Sequence, residues 1–105
     1  MDERERTERL SRHFDQLRVE LIDSDLDLAM TFTELAKTTL AIDAPKHLDG
    51  FGLINKATRA YEVTGYLIPK VSNAGEQRRL YEKRATLDVS IREVKDIFRA
   101  RLRRS

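Results

Sequence analysis

Leu80, Leu87, Ile91, Val94, Phe98 and Leu102 fall three, four or seven residues apart, and charged residues fill most of the places between them. At 3.6 residues per turn such positions line up as one stripe, whereas at the strand period of two they would scatter over both faces. The last thirty or so residues are therefore predicted to form one long helix with a heptad-like seam, roughly 45 Å from end to end at about 1.5 Å per residue. Asn73 with Glu76 three positions later has the form of its start. A helix with a single apolar stripe is not stable alone in water, so this seam commits the chain to packing against other helices.

The same period supplies those helices. Leu10, Phe14, Leu17 and Leu21 share a face and predict a first helix over residues 3 to 22, with residues 1 to 9 as a frayed, solvated lead-in. Ser24-Asp25-Leu26-Asp27 has the form of a capping box, and Leu28, Phe32, Leu35 and Thr39 continue beyond it, predicting a second helix at about 25 to 40. "IDAPKHLDGFG" interrupts the period, with Asp43 able to cap and Pro45 suited to the next first turn. Phe51, Ile54, Ala57, Tyr61, Thr64 and Ile68 then predict a third helix that Pro69 ends. With 36% charged residues, 40% hydrophobic residues, four glycines and two prolines in 105 positions, the composition suits charged amphipathic helices. The expected fold is all-α, a small antiparallel bundle of three or four helices with a long C-terminal helix, in a single domain spanning 1 to 105.

Several chemistries are disfavoured at this level. The absence of cysteine excludes disulfides, thiolate catalysis and thiolate metal sites. His13 and His47 lie on different predicted segments, without an acid or second histidine at the helical ligand spacing, and no phosphate loop or nucleophile-base pattern occurs. "DSDLDLAMTFTE" places Asp23, Asp25, Asp27 and Glu34 at calcium-loop positions. However, Leu28 stands where the loop's turn requires glycine, so the acids read instead as the first turn of a helix. No catalytic residue, metal or cofactor is expected. The start, "MDERERTERL", is densely charged and no apolar run approaches a membrane span, so the expected location is cytoplasmic, with no membrane partner.

"SDLDLAMTF" followed by "KATRAYE" and a proline-ended helix resembles a group of small all-helical bacterial proteins of uncharacterised function, over roughly residues 20 to 95. More remotely, Ala57-x3-Tyr61-x2-Thr64-x4-Pro69 looks like the second helix of a tetratricopeptide repeat, which would imply a protein-interaction scaffold. The Trp/Leu/Gly/Tyr pattern of that repeat's first helix is missing before Ala57, Thr64 stands in place of a small alanine, and no period of about 34 residues occurs.

Two surfaces are candidates for function. Val94, Phe98 and Leu102 continue the apolar seam beyond the reach expected of the short second and third helices. Either the first helix or a second chain must cover them, and an exposed Phe98 favours a homodimer through the distal part of the last helix. Arg92, Lys95, Arg99 and Arg103 line another face of that helix, with Arg101 and Arg104 beside them, and could contact phosphate. No aromatic is spare there for base stacking. The leading expectation is a non-catalytic helical module for protein interaction or self-association; the alternative is a small nucleic-acid-associated protein using the basic face.

Overall fold

The computed structural model describes residues 2–41 and 49–104, the side chain of Arg104 excepted. Asp43, Pro45 and His47 lie outside the described residues. The chain is all-α: α1 is Glu3–Ala41, α2 is Gly50–Leu67, a 3₁₀ turn follows at Ile68–Lys70, and α3 is Ala74–Arg104. Strands are absent among the described residues. The longest dimension is 68 Å, a little more than the roughly 58 Å expected of a 39-residue helix.

The two helices predicted before residue 41 are one. Ser24-Asp25-Leu26-Asp27 lies inside α1 and caps nothing. The Thr31 hydroxyl bonds back to the Asp27 carbonyl, as in a helix interior. Two of the acids that imitate a first turn point toward the start of α3, where Asp23 meets Arg79 and Lys83, and Asp27 meets Lys83.

The buried stripe of α1 is also not the one its largest residues suggest. Val19, Ile22, Leu26, Ala29, Thr33, Ala36 and Leu40 are buried, whereas Leu10, Phe14, Leu17 and Leu21 are exposed. Small side chains at Ala29, Thr33 and Ala36, with Ala57 opposite, let the helices approach closely. The Thr33 and Thr64 hydroxyls are satisfied by the carbonyls of Ala29 and Ala60, both at 2.8 Å.

α2 runs back along α1, and α3 returns parallel to α1. At one end Ala36, Leu40, Ile54, Val94 and Phe98 form a cluster. At the other end Val19, Ile22, Ile68, Val71 and Leu80 belong to the larger cluster that extends to Leu87 and Ile91. Asn73 starts α3 as its residue type predicts, its side-chain oxygen accepting the Glu76 amide at 2.9 Å. Pro69 falls in the 3₁₀ turn just after α2.

The expected gap over the distal part of α3 is closed within the chain. Val94 is 1% exposed and Phe98 8%, because α1 reaches Ala41 and α2 begins beside it. The Phe98 ring stacks on Phe51 with centroids 4.3 Å apart, and a Cβ on Gly50 would stand 2.9 Å from that ring. Of the three seam residues proposed for docking, only Leu102 is exposed.

Candidate interaction surface

α1 carries a second apolar stripe on nearly the opposite side from its buried one. Leu10, Phe14, Leu17, Leu21, Leu28 and Leu35 are between 42% and 58% exposed. Their spacing of four, three and four residues, then two steps of seven, is that of heptad core positions, with Ser24 and Thr31 completing the row. One stripe builds the bundle and the other faces solvent.

The first turns of α1 add to the exposed area. No residue of α1 before Val19 is buried. The helix is tethered to the corner between α2 and α3 by two hydrogen bonds: the Ser72 amide donates to the Asp15 carboxylate at 2.8 Å, and the Arg18 guanidinium donates to the Lys70 carbonyl at 3.0 Å. A recess of about 430 Å³ lies beside this corner, with Leu10, Phe14, Arg18 and Ser72 in its wall. Before the corner, residues 3 to 14 form a helical arm held mainly by local contacts, among them the Glu5 amide donating to Asp2 and the Arg4–Glu8 pair.

Charges flank the outward stripe unevenly. Beside its N-terminal half stand Arg4, Arg6 and His13; beside its C-terminal half stand Glu20, Asp25 and Asp27. Further round the helix, the hydrogen bond from Lys83 holds the Asp23 carboxyl below its usual range against the upward push of partial burial, with Arg79 reinforcing it. For Lys83, burial alone would lower the ammonium, but hydrogen bonds to Asp23 and Asp27 and their charges outweigh it and raise its pKa. These ion pairs fix α3 against α1 next to the stripe without covering it. A second groove, of about 670 Å³, is walled by Arg12, Asp15, Gln16, Val19, Asn73 and Arg79.

The residues singled out for phosphate contact are spread over a mixed surface. Arg92 pairs with Asp88 at 3.0 Å and Arg99 with Asp96 at 3.5 Å. Lys95 is half-buried, Arg101 and Arg103 are exposed, and the Arg104 side chain lies outside the described residues, as does His47. His13 is exposed on α1. Asp23, Asp25, Asp27 and Glu34 belong to one continuous helix, which excludes the looped ligand geometry of a calcium hand. Among the described residues no group of three or more His, Asp or Glu side chains is placed to hold a metal ion. No described helix is long and apolar enough to cross a membrane.

The outward role of Leu10, Phe14, Leu17 and Leu21 was missed from sequence, although a signal for it exists. Between residues 10 and 40 the chain holds two apolar rows at heptad spacing, and one helix in a three-helix unit can bury only one of them. No protein-family model, no curated protein and no solved structure matches the chain.

Proposed function

We propose that the chain is a non-catalytic helical module that works by protein–protein association, with the outward face of α1 as its docking surface. The observation that carries this reading is the row Leu10, Phe14, Leu17, Leu21, Leu28 and Leu35, exposed along one side of a 39-residue helix. Isolated exposed leucines are ordinary, but six apolar side chains in one register form a ridge of the kind that another helix covers. From Val19 onward the bundle holds the ridge straight, because the opposite side of that part of α1 is its core. Leu21, Leu28 and Leu35 are therefore presented with little further ordering cost on binding.

Affinity capture from the native host tests the reading, comparing the full chain with a Leu17→Glu, Leu21→Glu double variant. Both positions are exposed, so the bundle should still unfold cooperatively. The expected result is that the variant loses whatever the wild type retains, further copies of the chain included. Identical capture by the two would overturn the assignment of this face.

A second reading places nucleic acid on the end of α3, where Arg99, Arg101 and Arg103 are exposed past Phe98, the last buried one among the described residues. It requires affinity for duplex DNA that falls steeply with salt and drops on Arg99→Glu, Arg103→Glu substitution.

A further inference from the structure

We infer that the occupant of the N-terminal part of the α1 ridge, Leu10 to Leu21, is a second copy of this chain, paired antiparallel about a two-fold axis that passes between Asp15 and Gln16. This deepens the association reading above and rests on it. The first consideration is the arm. Residues 3 to 18 are helical, yet the first buried side chain of α1 is Val19. A helix segment of that length is marginal in water when nothing packs on it. Leu10, Phe14 and Leu17 on this segment remain 51%, 58% and 46% exposed. The arm therefore lacks an apolar partner within the described chain.

The second consideration is charge, which selects the occupant and the register together. With Phe14 and Leu21 at the a positions and Leu10 and Leu17 at d, the flanking positions are Arg6, His13, Glu20, Asp27 and Glu34 on one side. On the other they are Arg4, Ser11, Arg18, Asp25 and Phe32. In a parallel, in-register pair each flanking residue meets one five positions further along its partner. Glu20 then faces a second Asp25, His13 faces Arg18, and no opposite charges meet.

In the antiparallel pair centred between Asp15 and Gln16, Leu10 layers with Leu21 of the second copy, Phe14 with Leu17, and Thr7 with Ser24. Arg4 then faces Asp25, Arg6 faces Asp27 and His13 faces Glu20, each twice by symmetry. Sliding the partner by one heptad puts Phe14 against Ser24 and brings Glu20 against Glu20 and Arg18 against Arg18. The slid register does set Leu10 against Leu28 and Arg6 against Glu34. The centred one, however, pairs Leu10, Phe14, Leu17 and Leu21 among themselves and brings no like charges together, with Ser11 facing Arg18, Leu28 opposite Glu3 and Leu35 beyond the overlap. These acids are available: Glu20 is exposed, Asp25 is half-buried, and the Asp27 side chain, though paired with Lys83, is 65% exposed. Each arm lies along the partner's α1, and the interface is isologous.

The chain contains no cysteine, so single-cysteine variants report the register directly. Leu10→Cys and Leu21→Cys are made separately in the full chain, and both sites are exposed enough to leave the bundle intact. Wild type should run as a dimer by light scattering at tens of micromolar. Under mild oxidation each variant alone should stay uncrosslinked, and an equimolar mixture should form the Leu10→Cys to Leu21→Cys disulfide. Arg4→Glu or Asp25→Lys alone should weaken the dimer by about three- to tenfold, and the two together should restore it, as expected of exposed ion pairs made twice. A wild type that stays monomeric at high micromolar concentration overturns self-pairing, and capture of a different protein then leaves the association reading standing. A dimer in which Leu10→Cys crosslinks to itself overturns the antiparallel register.

Discussion

Arg84 ties α2 to α3 through three contacts at once. Its guanidinium lies 3.7 Å from the centre of the Tyr61 ring, and its Nε donates to the Tyr61 carbonyl at 2.8 Å. It also fills the space over Gly65, where a Cβ would fall 2.5 Å from Nη2. Arg84→Ala should therefore cost about 1–2 kcal/mol, from a hydrogen bond by a charged donor and a cation–π contact. Gly65→Ala should reproduce part of that loss by displacing the guanidinium, and urea denaturation of both variants checks the pair. Asp23 makes a pH-dependent contribution of definite sign. Its folded pKa lies below the ordinary carboxylate value. The stability it adds is therefore fully present above about pH 3.9 and is lost as pH falls through the depressed folded value. Asp23→Asn should lower the urea midpoint at neutral pH, and its difference from wild type should shrink in strong acid. A constant difference would mean that the carboxylate's charge has no part in the contact.

The continuity of α1 is the feature on which the rest of the architecture depends, and Ser24 tests it. As the cap of a separate helix, Ser24 would lose about 1 kcal/mol on replacement by alanine. As an exposed residue inside α1, Ser24→Ala should leave stability unchanged or raise it by a few tenths of a kcal/mol. Thermal unfolding decides between these outcomes. The same segment shows how far sequence could be read. α3 was legible because Leu80, Leu87, Ile91, Val94 and Phe98 are large, are spaced for one face and are buried. α2 was legible because Pro69 marks its end. α1 was not, because its core row passes through Ala29, Thr33 and Ala36, which carry little hydropathy but permit close packing. Its conspicuous leucines lie on the other face. The acids at 23, 25 and 27 imitate a helix start locally, and only contact with Lys83 and Arg79, some sixty residues away, gives Asp23 and Asp27 another purpose. The outward row was thus named residue by residue in the sequence but assigned to the interior of the bundle.

A buried cluster and an exposed apolar row mark the two ends of the molecule's behaviour, and their substitutions should fail in different ways. Phe98 sits with Ala36, Leu40, Ile54 and Val94 at the end where all three helices meet. Phe98→Ala should cost about 3–5 kcal/mol, and Phe98→Glu should abolish cooperative unfolding at any protein concentration. Leu17, 46% exposed on the arm, should behave differently. If arms pair across the two-fold axis, unfolding is coupled to dissociation, and the melting temperature rises with protein concentration. Diluting the wild type should also lower its helical circular dichroism, because arms released from their partners fray while α2 and α3 remain packed. Leu17→Glu places a charge in the layer facing Phe14 of the second copy. It should yield a melting temperature independent of concentration and a helical signal fixed at the dilute wild-type level. The near-ultraviolet spectrum that reports the packed Tyr61 should be retained. Temperature scans over a hundredfold range of concentration separate the cases. If the wild-type curves superimpose across that range, the arm holds its helix without a partner and the ridge is not a dimer contact.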